Sequence, residues 1–476
     1  MNDGSSVADL VETLRREWER YPTGEKLPSS RALMERHRVS PVTVSRVISA
    51  LVAEGLVVSR PGAGVFRAER RVPRAIAGDV SWQEVTLGAH DAQAAPRAEA
   101  SGLLATLTVP PADVVDLGGG YPHPSLLPER ALADALARAA RRPDAWGRPP
   151  VEGLTELRSW FAREIGGPDG SVTAADVLIT AGGQAALTAA LRALAPAGAP
   201  VLVESPTYPG VLGVARAAGL RPFPVPVDGD GLRTDLLADA FAVTGARLLV
   251  CQPLFHNPTG ATLTPDRRAE VLRLARAAGA FVVEDDYARL LAHADAPALP
   301  RPLAADDPDG VVVHVRSLTK AASPSLRIAA VTARGPAFER LRATQVVDSF
   351  FVPRPLQEAT LALVSSPAWP RHLRALAAAL QERRVTLGAA LARHLPDLPT
   401  ARLAPGGYLA WLRLPPGTNE STLAAAAFRA GVEVTPGAPY FAAEPPAPHL
   451  RLTHAAAGTA TQLAEGVARL ASAWPA

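Results

Sequence analysis

Lys26 and Lys320 are the only lysines in a chain of 476 residues whose other cations are all arginine. Chemistry that needs a primary amine, such as a Schiff base with a carbonyl compound, therefore has two candidates. Lys320 has the richer surroundings: it closes Ser317-Leu318-Thr319-Lys320, and Arg327 follows seven residues on. Upstream, Ala181-Gly182-Gly183-Gln184 opens a helical stretch whose free N–H groups and positive dipole end suit a phosphate. Pro206-Thr207-Tyr208 offers an aromatic plane, His256-Asn257-Pro258-Thr259-Gly260 an amide, and Glu284-Asp285-Asp286-Tyr287 a pair of aspartates beside a phenol. Singly, each of these is also a serviceable turn or a solvated surface sequence.

The elements that must position them lie in the same stretch. Short apolar runs, VLIT near 178, VLVES near 201, RLLVCQP near 247, FVVEDDY near 281 and VVVHV near 311, are separated by helix-length segments rich in Ala and Leu. That alternation predicts a mostly parallel α/β sheet, in which ligands collect outside the carboxyl ends of the strands. Each chemically distinctive group follows one of these runs. Together they offer a Schiff-base amine, a carboxylate for a ring nitrogen, a donor for a phenolic oxygen, a stacking face and a phosphate cradle, which is what pyridoxal phosphate needs.

The N-terminal stretch has a different character. Val7, Leu10, Val11, Leu14 and Trp18 recur at helical spacing. Ser29 is placed to cap a short helix over 30–37, and Ser40-Pro41 to start another with Val44, Val47, Ile48 and Leu51 inward and Thr43, Ser45, Arg46 and Ser49 outward. LVVSRPGAGVFRA then reads as two strands around a Pro-Gly-Ala-Gly turn, flanked by Arg60 and Arg67. Two short helices and a basic hairpin make a winged helix-turn-helix able to enter a DNA groove, or a small bundle with a solvated basic face.

Charge separates the two regions. Residues 1–71 hold 12 Lys and Arg against 9 Asp and Glu, and the rest of the chain is balanced, so the net +3 sits at the N-terminal end. Cys251 is the only cysteine, which excludes an intrachain disulfide framework and a multi-cysteine zinc cluster; no metal site is expected. The absence of a long apolar run or a signal-like start predicts a soluble, cytoplasmic protein without membrane contact. Prolines and weak periodicity over 69–115 suggest a connector, although the run SGLLATLTV could dock on a neighbour.

LPSSRALMERHRVSPVTVSRVISALVAEGLVVSRPGAGVF resembles the GntR-type winged helix, with Pro41 where that family often has Arg. The stretch from Asp116 to Trp474 resembles the aspartate-aminotransferase-like fold type I, and the combination resembles the MocR regulators. The resemblance implies a winged-helix domain over 1–68, a linker over 69–115, and an aminotransferase-like domain over 116–476 whose small subdomain lies mainly at about 345–476. It implies a homodimer that binds double-stranded DNA and senses an amino acid or amine through aldimine exchange on pyridoxal 5'-phosphate. A working aminotransferase with a DNA-binding module is the alternative.

Matched motif by motif, the resemblance assigns the phosphate to Gly183, Gln184, Ser317, Thr319 and Arg327, and ring stacking to Tyr208. It gives the phenolic oxygen to Asn257 and Tyr287, and the pyridine nitrogen to Asp285 with Asp286 as fallback. The Schiff base falls to Lys320 and the substrate carboxylate to Arg451. DNA contacts fall to Arg31, Thr43, Ser45, Arg46, Arg60 and Arg67. Trp146 stands where the family usually has a tyrosine that reaches across the dimer.

Overall fold

The computed structural model describes residues 3–18, 21, 24–60, 62–68, 82, 83, 86, 100–167, 170–398 and 403–474. The chain forms two compact units, Met1–Ala94 and Ala95–Ala476.

The first unit holds α1 (Asp3–Trp18), α2 (Ser30–His37) and α3 (Pro41–Ala53), and the last two begin where their capping residues direct. The hydroxyl of Ser29 accepts from the Ala32 amide at 3.2 Å, and that of Ser40 from the Thr43 amide at 3.1 Å. Each satisfies a donor that the first helical turn leaves open. The three helices share a core of Leu10, Leu14, Trp18, Leu33, Val44, Val47 and Leu51. Strands β1 (Val57–Arg60) and β2 (Gly64–Arg67) pair antiparallel, and their turn needs Gly62 and Gly64 at φ +75° and +114°, where a side chain would be strained. The wing is tied back by the Leu27 amide on the Val65 carbonyl at 2.8 Å.

The second unit begins inside the stretch expected to be a connector. Helix α4 (Ser101–Leu107) packs against the helix Pro209–Ala217, because its apolar run carries no charge to keep it in water. Strand β3 (Val115–Asp116) follows. The main sheet has eight strands: β4 (Val177–Thr180), β5 (Pro200–Ser205), β6 (Arg221–Asp228), β7 (Gly231–Leu232), β8 (Leu248–Cys251), β9 (Phe281–Asp285), β10 (Val312–Ser317) and β11 (Ala329–Thr332). Their spatial order is β4-β11-β10-β9-β8-β5-β6-β7. The run from β10 through β6 is parallel; β11 and β7 are antiparallel to their neighbours. The parallel strands therefore end on one edge, where the sheet delivers its loops.

A smaller antiparallel sheet joins β12 (Leu409–Arg413), β15 (His449–Thr453) and β14 (Thr435–Pro436), and β13 (Val432–Glu433) pairs in parallel with β3. The small core is built from Leu387, Leu391, Leu412, Leu450, Leu452 and Val467, and it takes in Leu117. Its membership differs from the boundary expected near 345. Val352, Ala359, Leu363 and Trp369 pack in the large core instead, and the 27-residue helix Ala368–His394 runs from one core into the other. At ~1.5 Å per residue such a helix spans both layers. Among the described residues no helix is long and apolar enough to cross a membrane, and no group of side chains could hold a metal ion.

Candidate functional site

The carboxyl ends of β4, β5, β8, β9 and β10 meet at a cavity of about 360 Å³. Gly183, Gln184, Tyr208, Asn257, Asp285, Tyr287, Ser317, Thr319, Lys320, Arg327 and Arg451 all line it. Those from Gly183 to Lys320 converge because the parallel strands all point one way, whereas Arg451 enters from β15 of the smaller antiparallel sheet.

Lys320 follows β10. Its Nζ donates to the Gly120 carbonyl at 2.6 Å and sits 3.6 Å from the centre of the Tyr121 ring. Burial, reinforced by the charges of Arg451 and Arg327, brings the ammonium down to about 7, against the opposing pull of Asp285. Asp285 closes β9 and is buried. Burial pushes its carboxyl up to about 7, the Gln252 hydrogen bond and Lys320 draw it down, and Asp286 and Glu204 raise it further. An amine and a carboxyl that both change charge near neutrality thus share one cavity.

Asp286, the fallback, points elsewhere. Its Oδ2 accepts from Arg289 Nε at 2.6 Å and Arg316 at 2.7 Å, and lies 3.2 Å from His314 Nε2. Burial raises this carboxyl, but Arg316, Arg289 and His314 together hold it well below the usual range. It does not line the cavity, whereas Asp285 does.

The residues that the resemblance assigns to a phosphate lie on one cavity wall. The helix Gly183–Leu194 presents its N-terminus to the cavity, and Arg327 donates to the Ala181 carbonyl at 3.1 Å. Gly182 has φ +90°, and a Cβ there would lie 2.4 Å from the Arg327 guanidinium, so only glycine leaves the arginine its place. Ser317 Oγ is 3.0 Å from Thr319 Oγ1. Tyr208 donates to Gln184 Oε1 at 3.2 Å, and its ring lies so close to Gly210 that a Cβ would come within 2.2 Å.

Two assigned groups have partners that the sequence did not indicate. Tyr287 donates to the Phe255 carbonyl at 2.9 Å, which occupies the proton expected for a phenolic oxygen. Arg451 is buried and donates to the carbonyls of Gly118 and Gly119 and to Thr435, while its Nε lacks a partner. Trp146 is 80% exposed and does not line the cavity.

The cavity also contains residues not singled out from sequence. Gln252, immediately after β8, donates to Asp285 Oδ2 at 2.6 Å and accepts from the Asn257 backbone N–H at 3.0 Å, so one side chain ties together two cavity-lining residues. Its place at a strand end was the available signal. Tyr408 donates to the Gly120 carbonyl at 2.8 Å. Tyr121, Leu187 and the α4 residues Leu103, Thr106 and Leu107 complete the wall.

In the first unit Arg31, Ser45, Arg46 and Arg60 are exposed. Arg31 pairs with Glu35 at 3.2 Å, and Arg60 lies over the Phe66 ring at 4.8 Å. Two candidates turn out to be engaged within the fold. The Thr43 hydroxyl sits 2.9 Å from Ser40 Oγ in the helix cap, and Arg67 is half-buried and donates to the Leu56 carbonyl at 2.7 Å.

Residues 112–470 match the family model for aminotransferase class I and II, and residues 8–66 that for bacterial regulatory proteins of the gntR family. The chain belongs to the class I and II aminotransferases, in the MocR-type fusion with a gntR-family regulator domain. Among relatives of this MocR-type chain, an HTH-type transcriptional regulator of Bacillus subtilis, YisV, is 29% identical over 400 residues, covering 82% of this chain and 80% of the relative. A 2-aminoadipate transaminase of Thermus thermophilus is 31% identical over 400 residues, covering 83% and 97%. The solved structure of α-aminoadipate aminotransferase from Thermus thermophilus, complexed with N-(5'-phosphopyridoxyl)-L-leucine, matches with a TM-score of 0.73 at 30% identity, covering 79% of this chain and 95% of that one.

Pyridoxal phosphate is the cofactor of this domain. The MocR-type cavity fits it on its own evidence. Asn257 Oδ1 is buried with no partner, the Lys320 amine can shed its proton near neutrality, and Gly182 makes room for an arginine at a helix N-terminus.

Proposed function

We propose that this MocR-type chain is a DNA-binding transcription regulator that senses an amino acid or amine at the cofactor held by Lys320. The observation that carries this reading is the meeting of Lys320, Asp285 and Arg451 in one cavity. Bound pyridoxal phosphate supplies an aldehyde that condenses with primary amines. Around it, Gly183, Gln184, Ser317, Thr319 and Arg327 hold the phosphate, Tyr208 covers the ring, Asn257 and Tyr287 lie toward the phenolic oxygen, and Asp285 holds the ring nitrogen's proton. Arg451 takes the carboxylate of the incoming compound. Residues 1–68 read DNA through the exposed Arg31, Ser45, Arg46 and Arg60, and the protein works in the cytoplasm as a homodimer.

An effector shifts DNA affinity only by the difference in its binding to two states, ~1–3 kcal/mol in ordinary cases, and DNA shifts effector affinity equally in return. The test uses DNA fragments selected by the protein from a random pool. The right amino compound changes DNA affinity of the wild type and not of Lys320→Ala, while both proteins bind DNA. Effector titrations that are identical with and without DNA would overturn the reading.

A working aminotransferase is the second reading, favoured by the approach of Lys320 to neutrality, since a residue that takes and returns a proton at physiological pH suits turnover. A single-turnover reaction that yields the pyridoxamine form would support it.

A further inference from the structure

We propose that the compound taken by this cavity is an amino acid with an uncharged, apolar side chain. The proposal rests on the sensing reading above and names the ligand class of the same site. Among the described residues lining the cavity, only Asp285, Lys320, Arg327 and Arg451 carry charge. Each is already committed: Asp285 to the ring nitrogen, Lys320 to the amine exchange, Arg327 to the phosphate end beside Gly182, and Arg451 to the α-carboxylate. No cation remains for a second carboxylate, and no carboxylate for a second ammonium.

The rest of the wall agrees with this charge inventory. Helix α4 contributes Leu103, Thr106 and Leu107 and has no charged residue from Ser101 to Leu107. The Thr106 hydroxyl donates to the Leu103 carbonyl at 2.8 Å, so its one proton is used inside the helix and is not offered to a carboxylate. Leu187 adds a buried aliphatic face from the helix Gly183–Leu194. An ionised side chain placed against these groups would lose its water without gaining a partner, whereas an aliphatic or thioether side chain would gain apolar contact.

The test titrates the holoprotein with L-leucine, L-methionine, L-glutamate, 2-aminoadipate and L-lysine and follows the visible absorption of the cofactor. Leucine and methionine are expected to half-saturate at concentrations about tenfold or more below those for the charged compounds. Leu107 is 51% exposed, so Leu107→Arg places a cation at the rim of the cavity. It should lower the glutamate-to-leucine ratio of half-saturating concentrations by about tenfold. Leu103→Ala is the second variant, and it should weaken leucine several-fold with little change for glutamate. Tightest binding of glutamate, 2-aminoadipate or lysine to the wild type would overturn the proposal. So would variants that keep the cofactor absorption and leave the ratios unmoved. If no compound of any class perturbs the spectrum of cofactor-loaded protein, the sensing reading itself falls and takes this proposal with it. A charged preference sinks only the ligand class.

Discussion

In the N-terminal unit Arg31, Ser45, Arg46 and Arg60 stand in water above a core of Leu14, Trp18, Val47 and Leu51. In the larger unit Asp285, Thr319 and Arg451 are themselves buried, and the groups around them are selected by what they do to one another's charge. The first arrangement separates stability from recognition, because a solvated arginine can be exchanged without disturbing what lies beneath it. The second couples them. Asp286, one residue from the cavity-lining carboxylate of Asp285, is held by Arg316 and Arg289 inside the protein, so the same strand end carries both a cavity group and an ion cluster.

The sharpest form of this contrast is a comparison of the two lysines. With a pKa near 7, the free-base fraction of Lys320 at pH 8 exceeds that of an ordinary lysine by about two-hundredfold. In cofactor-free protein, arylation by trinitrobenzenesulfonate, an electrophile that does not itself titrate in this range, should therefore reach half its maximal rate at Lys320 near pH 7. A rate that climbs only above pH 10 would break the contrast. The same shift has a sign in stability. The unfolded chain keeps the Lys320 proton where the native protein does not, so this residue makes the cofactor-free protein more stable as pH rises from about 7 into the ordinary lysine range. Asp285, raised to about 7, acts oppositely and loses stability as pH rises toward that value. Urea titrations of wild type against Lys320→Ala and Asp285→Asn separate the two.

Removing one partner of a buried ion cluster is next in size. Asp286→Asn leaves Arg316 buried beside Arg289 without its carboxylate, and should cost about 3–5 kcal/mol by urea unfolding. A loss below about 1 kcal/mol would mean the cluster is as dispensable as a surface pair. Arg46→Ala should show the reverse profile: DNA affinity falls by about 1–3 kcal/mol if the side chain reads a base edge, while stability moves by no more than about 0.5 kcal/mol. Unchanged affinity in a fluorescence-anisotropy titration would remove Arg46 from the reading face. The smallest effect is expected at the helix start. Ser40→Ala removes the cap of α3 and should cost about 1 kcal/mol in that unit, visible as a lower midpoint of its thermal transition.

Local features were the most legible. Ser29, Ser40 and Pro41 mark helix starts by hydrogen bonding and ring geometry that act within three residues, and the apolar runs mark strands by their own composition. The chemistry of the cofactor site was legible for a related reason. Lys320 stands out in a chain that otherwise uses arginine, and the groups after each strand fall on one edge once the sheet is parallel.

Side-chain direction was not legible. Asp285 and Asp286 are identical in type and adjacent in sequence, yet alternation along the strand sends one into the cavity and the other to Arg316, which comes from a different strand. Gln252 carries no distinguishing motif and gains its role only because β8 places it between Asp285 and Asn257. Helix α4 looked like a connector because its wall-forming partners lie in the helix Pro209–Ala217 and around the cavity, far away in sequence. The sequence by itself determined the element types, the two lysines to which amine chemistry is limited and the basic character of the N-terminal unit, since these depend on composition and short-range spacing. The tertiary structure decided which carboxylate lines the cavity, which arginines are already bonded, and which apolar residues form its wall, because burial and charge pairing depend on neighbours that only the folded chain brings together.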